Sequence, residues 1–233
     1  MKKYSKFLTL LLVILTISLI ILVAYAIYTL YDDYMSDKSA EDLMDQFESN
    51  YNEFDFDDEN IVENDNNLLP EDNNTTTQTP QKNNSSGGGS SSYRVGTYYK
   101  GHKVIGLISI PKLNIQYPIF ADDTTETLKV GTAAIYPANA ESILNTSGNV
   151  VIAGHNYRNS RMFSKLYTLN SGDSIYITNI YGYKLEYKVY NNYTTGSIDF
   201  DYATRDTNGD IEISLTTCTT DASTRTIVWA RAE

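Results

Sequence analysis

The chain has 233 residues, of which 41% are hydrophobic, 20 are tyrosine and one is cysteine, and its formal net charge is −11. The charge is regional: residues 32–92 hold 16 Asp/Glu against 2 Lys/Arg, whereas residues 93–233 hold 13 of each. A neutral C-terminal part without a basic stripe excludes nucleic acid as a partner, and one cysteine with two histidines excludes an intrachain disulfide framework and the usual Cys/His zinc sets.

Residues 1–6 carry Lys2, Lys3 and Lys6 and read as a cytoplasmic N-terminus; residues 7–30, Phe7 to Leu30, are 24 uncharged, largely apolar positions. As a helix this run spans about 36 Å, enough to cross a hydrocarbon core of about 30 Å. Lysines before it and Asp32, Asp33 and Asp37 after it orient it with the N-terminus inside. Ala24-Tyr25-Ala26 also fits a signal-peptide cleavage site, but the apolar run continues through Ile27-Tyr28-Thr29-Leu30, which favours an uncleaved transmembrane anchor.

Residues 31–92 are rich in Asp, Glu, Asn, Ser, Thr and Gly, and bury too little apolar surface to offset the entropy of ordering. They read as an acidic, disordered extracellular linker that tethers a domain to the membrane. Within it a short helix over 38–50 is the alternative, because Ala40, Leu43, Met44 and Phe47 fall at helical spacing.

Residues 93–233 change to short β-type runs broken by turns. Strands are expected over 104–120 with a break at Pro111-Lys112, and over 149–155, 173–180, 183–191, 210–218 and 225–232. Helices are expected at 124–136 and 160–169. The fold class is all-β with short helices, a compact barrel or sandwich.

Three residues stand at the boundaries of these strands. Cys218 ends one strand before the polar run Thr219 to Thr224, His155 follows an apolar strand in Ala153-Gly154-His155-Asn156, and Arg225 opens the last strand in Arg225-Thr226-Ile227-Val228-Trp229. Each has a plainer reading alone: a small buried hydrophobe, a hydrogen-bonded spectator, a surface arginine. Together they supply a nucleophile, a proton carrier and an oxyanion donor, the set that acyl transfer from an amide through a thioester requires. If the acyl group passes to an amine rather than water, a new amide bond results.

The same residues carry a resemblance. Ser214-Leu215-Thr216-Thr217-Cys218 resembles the Thr-Leu-x-Thr-Cys strand end of the sortases, membrane-anchored cysteine transpeptidases of Gram-positive bacteria. It departs only at the first position, where serine keeps the hydroxyl. The histidine after an apolar strand, the arginine opening the last strand, the His–Cys–Arg order and the N-terminal anchor match as well. The resemblance implies an eight-stranded β-barrel over 93–233. It implies cleavage of LPxTG-type sorting signals of secreted surface proteins and transfer to an amine of a peptidoglycan cross-bridge or its precursor, or, in pilus-building members, to a pilin lysine. Cys218 would be the nucleophile, His155 the general acid and Arg225 the oxyanion donor, with the Thr219 N–H assisting. Ala153, Thr216, Thr217 and Ile227 fall at groove positions. No cofactor or metal is implied, and Ca²⁺ modulation is left open. The histidine loop looks like class B and the remainder like classes A and D.

An L,D-transpeptidase would place its cysteine in a Ser/Thr-x-Gly-Cys context, and a papain-like peptidase would place it before its histidine; neither pattern is present. A non-catalytic tethered surface β-domain is the reading from another class, opposed by the intact trio.

Overall fold

The computed structural model describes residues 2–52, 96–157 and 161–233. A long helix, α1 (Lys2–Asn52), precedes nine strands: β1 (Tyr98–Tyr99), β2 (His102–Ile110), β3 (Ile115–Phe120), β4 (Thr132–Tyr136), β5 (Gly148–Ala153), β6 (Ser174–Asn179), β7 (Lys184–Gly196), β8 (Ile211–Cys218) and β9 (Thr224–Ala232). Short helices α2 (Thr125–Val130), α3 (Ala140–Ile143) and α4 (Asp201–Thr204) sit in the crossings. Strand β1 only extends the edge of β2, and the other eight run β2-β3-β4-β5-β8-β9-β7-β6, closed into a barrel by pairing of β2 with β6. All neighbours are antiparallel except β3–β4 and β5–β8. Closure leaves no open barrel edge for another chain to extend.

The core inside the barrel is aliphatic, with Ile108, Ile119, Ile152, Ile177, Leu215 and Val228 fully buried. Strand β8 is unusual in being buried along nearly its whole length, on both faces. Ile213 and Leu215 fill the barrel, while Glu212, Ser214 and Thr216 alternate with them and are buried too. Ser214 Oγ donates to Asn149 Oδ1 at 2.9 Å and Asn149 Nδ2 donates to the carbonyls of Tyr202 and Ala203 in α4, both at 3.0 Å. Glu212 accepts from Tyr190 Oη at 2.8 Å, from Arg231 Nε at 2.8 Å and from Arg205. Against the penalty of its burial, these bonds hold the Glu212 carboxyl below its ordinary 4.5.

Two expectations about local structure need correction. Residues 124–136 are not one helix: α2 ends at Gly131, and Thr132–Tyr136 becomes β4, with Ala133 opposite Ala153. A Cβ at Gly131 would lie 2.7 Å from the Pro118 carbonyl oxygen, so only glycine permits this approach. The helix expected at 160–169 is reduced to a 3₁₀ turn at Leu166–Thr168. Met162, Phe163, Leu166 and Leu169 are buried at helix-like spacing, but Met162 takes φ 47 and its N–H donates to Tyr117 Oη at 3.3 Å. Packing overrides the periodic signal there.

The largest difference lies before the barrel. Residues 31–52, expected as disordered linker, continue α1 and dock on the barrel. Ala40, Leu43 and Phe47 are buried, the last two against Val104, Leu107, Phe120, Val130 and Ala133. At roughly 2 kcal/mol for each large side chain, this stripe anchors the helix despite its acidic composition. Asn50 Nδ2 donates to Thr97 Oγ1 at 2.9 Å, so the helix ends beside the point where the barrel chain begins. The rest of the expected linker, residues 53–92, lies outside the described residues. Further up, α1 is apolar and unburied from Phe7 to Leu30, long enough to cross a membrane.

Glu212→Gln removes the charge facing two guanidinium groups and is expected to destabilise the barrel by about 3 kcal/mol in urea unfolding at neutral pH. Because the folded pKa is depressed, this stabilisation is present above 4.5 and is lost as pH falls through the folded value. The gap between variant and wild type should close over that window.

Candidate active site

The end of β8 and the start of β9 bring the first two candidate residues together. The antiparallel register sets Cys218 opposite Arg225, and Arg225 Nη1 donates to Cys218 Sγ at 2.6 Å. The hairpin between them is pinned from within. Asp221 accepts from Thr219 Oγ1 at 2.7 Å, Ser223 Oγ at 2.8 Å and Ser223 N at 3.1 Å, which bring its carboxyl down to about 2. The Thr219 N–H donates to the Thr224 carbonyl at 3.0 Å. It is therefore committed to the hairpin, contrary to the expectation that it assists the oxyanion, and Arg225 is the donor that faces the sulfur.

Strand β5 supplies the third residue. It runs parallel to β8 with Ala153 beside Thr216, so His155, two residues on, emerges at the level of Cys218. Three hydrogen bonds carry the pairing past the strand ends: Gly154 N to the Thr216 carbonyl at 3.1 Å, Thr217 Oγ1 to the Gly154 carbonyl at 2.7 Å, and Asn156 Nδ2 to the Cys218 carbonyl at 2.9 Å. A Cβ at Gly154 would meet the buried Phe163 ring at 2.7 Å, so glycine is required beside the histidine. Burial lowers the His155 pKa below its ordinary 6.5, which favours neutral imidazole. The His155 ring meets Tyr157 edge-on, with centroids 5.3 Å apart.

Cys218, His155 and Arg225 line a cavity of about 410 Å³. Ala153, Thr216 and Thr217 line it with them, whereas Ile227 does not; fully buried, it clusters with Val151, Tyr202 and Ala203. Leu128, Ile135, Phe200, Tyr202 and Asp123 complete the lining. Sequence reading missed these five, which come from α2, β4, α4 and their flanks; the only signal was the Phe200/Tyr202 pair in an otherwise acidic turn. Thr216 Oγ1 is buried on the cavity without a partner among the described residues. No group of three or more His, Cys, Asp or Glu that could hold a metal ion occurs among the described residues. The other histidine, His102, is half-buried on β2, with Nδ1 2.7 Å from Asp122 Oδ2.

The chain is similar to known proteins. The family model for the sortase domain matches residues 108–233. Sortase A of Bacillus anthracis is 34% identical over 76 residues, which cover 32% of this chain and 34% of that protein. The chain thus spans about a third of that relative's length. The structure of sortase A from Corynebacterium diphtheriae superposes with a TM-score of 0.50 at 31% identity, over 57% of this chain and 61% of that one.

A titration of the His155 imidazole by ¹⁵N NMR is expected to give a pKa below 6.5. The folded state resists protonation, so stability is full above 6.5 and falls as pH drops through the folded pKa. His155→Asn should flatten that part of the pH–stability curve.

Proposed function

The chain belongs to the sortase family, and on that premise we propose that it is a membrane-anchored cysteine transpeptidase. It would cleave an LPxTG-type signal at the C-terminus of secreted surface proteins and transfer them to an amine of the cell wall. The observation that carries this reading is the contact of Arg225 Nη1 with Cys218 Sγ at 2.6 Å, beside a histidine delivered by the adjacent strand.

The chemistry proceeds in two acyl transfers. Neutral His155 accepts the Cys218 thiol proton as the sulfur attacks the peptide carbonyl, and a C–S bond forms. Arg225 turns its N–H groups toward the developing oxyanion, a task for which a guanidinium fork is suited. The C–N bond breaks as His155 returns the proton to the leaving amine. An incoming amine then attacks the thioester, the C–S bond breaks, a C–N bond forms, and the amine's proton passes through His155 to regenerate the thiol. The apolar wall of Leu128, Ile135, Phe200 and Tyr202 suits the aliphatic and proline side chains of such a signal, and the unpartnered Thr216 hydroxyl suits its backbone.

Lysines before the apolar run and acidic residues after it support an N-terminus inside and a catalytic domain outside. Incubation of the full chain with a fluorogenic LPxTG-type peptide and hydroxylamine should yield the peptide hydroxamate. Cys218→Ala should abolish it, and Arg225→Lys should lower kcat/KM by roughly a hundredfold. Equal product from wild type and Cys218→Ala would refute the mechanism.

A further inference from the structure

The histidine-bearing loop touches more than the barrel. Arg161, in the segment that follows His155, reaches α1: Nη1 lies 2.7 Å from Asp33 Oδ1, Nη2 lies 2.6 Å from Asp37 Oδ1, and Nε donates to the same Asp37 oxygen at 2.8 Å. Its side chain is only 13% exposed, and the guanidinium carbon lies 4.8 Å from the centre of the Tyr157 ring. Tyr157 in turn sets its ring against His155, with an interplanar angle of 68°. An unbroken series of contacts thus joins two acids on α1 to the imidazole.

We propose that Asp33 and Asp37 are positioning residues for His155, acting through Arg161 and Tyr157, so that the membrane helix forms part of the support of the catalytic loop. The proposal rests on the transpeptidase reading above. Its physical basis is directional. A forked, two-acid grip fixes the guanidinium plane in a way a single ion pair does not. The fixed plane presents a cationic face to the tyrosine ring, worth more when partly desolvated, as here. The ring edge-packs on the imidazole, limiting its rotation. The opposite side of the loop is held by Met162 N–H on Tyr117 Oη and by Phe163 N–H on the His155 carbonyl at 3.1 Å. The histidine is thereby supported between the barrel and α1. Asp33 stands three residues beyond Leu30, about 4.5 Å along the helix, so the grip lies at the point where α1 would leave the bilayer.

The test uses the full chain in lipid nanodiscs. Asp33→Asn/Asp37→Asn, Arg161→Met and Tyr157→Leu should each lower kcat for the sorting-signal peptide roughly tenfold or more, with KM held within about twofold. Tyr157→Phe, which keeps the ring, should restore wild-type kcat, and Arg161→Lys, which keeps charge but loses the fork, should fall between. Lys129→Met, which breaks a separate α1 ion pair with Asp32 at 3.5 Å, should leave kcat unchanged. Retained kcat in Arg161→Met, or equal loss in Tyr157→Phe and Tyr157→Leu, would overturn the proposal. Hydrogen exchange decides independently of turnover: the Met162 and Phe163 amides should exchange faster in the Asp33→Asn/Asp37→Asn protein, and unchanged exchange sinks the idea. Absence of turnover in the wild type would count against the transpeptidase reading alone.

Discussion

Strand β8 is paired on both sides, parallel to β5 and antiparallel to β9, and the geometry of the site depends on those two registers holding at once. Side chains alternate faces along a strand, so a slip of one residue in either ladder would turn Cys218 away from Arg225 or from the level of His155. Both registers are fastened beyond the regular hydrogen bonds. The Thr217 hydroxyl bonds to Gly154, the Asn156 amide to Cys218, and the hairpin is closed around Asp221. Cys218, His155 and Arg225 come from the ends of three paired strands, so the ladders themselves bring them to one place.

The same strand explains a polar layer that a simple inside–outside rule would assign to solvent. Glu212, Ser214 and Thr216 sit on the face opposite the barrel core, but α4 and the side chains of Arg205, Tyr190 and Trp229 cover that face. Buried polar groups must be bonded or they cost several kcal/mol. Glu212 and Ser214 are bonded. Thr216 is not, and it is the one of the three that faces the cavity. Serine at 214 departs from the family pattern by a methyl group, and its hydroxyl holds Asn149, which in turn holds α4 against the groove.

Most strands were legible because β-branched and aromatic residues cluster between turn residues, and Cys218, His155 and Arg225 were legible because each stands at a strand boundary. The misreadings share one cause. Strand β4 follows α2 without a sequence break that propensity can detect, since Gly131 is needed for its closeness to Pro118 rather than for a turn. The buried run from Met162 to Leu169 has helical spacing but is shaped by Tyr117 and by a left-handed residue. Ala40, Leu43 and Phe47 form a stripe too sparse to fold alone; it becomes a helix face because Val104, Leu107, Phe120, Val130 and Ala133 present a matching surface to Leu43 and Phe47, while Ala40 joins the main core. The apolar part of the groove lining was invisible for the same reason: Leu128, Ile135, Phe200 and Tyr202 are brought to one cavity only after the barrel closes. In each case the deciding partner is remote in sequence.

Because Asn50 and Thr97 are hydrogen-bonded to each other, the end of α1 and the start of the barrel chain are held at one spot. The distance between the barrel and the apolar part of α1 is therefore decided by the rigid rise of the helix and not by the number of residues between 52 and 96. The number of residues between 52 and 96 is accordingly without effect on the height or the facing of the groove.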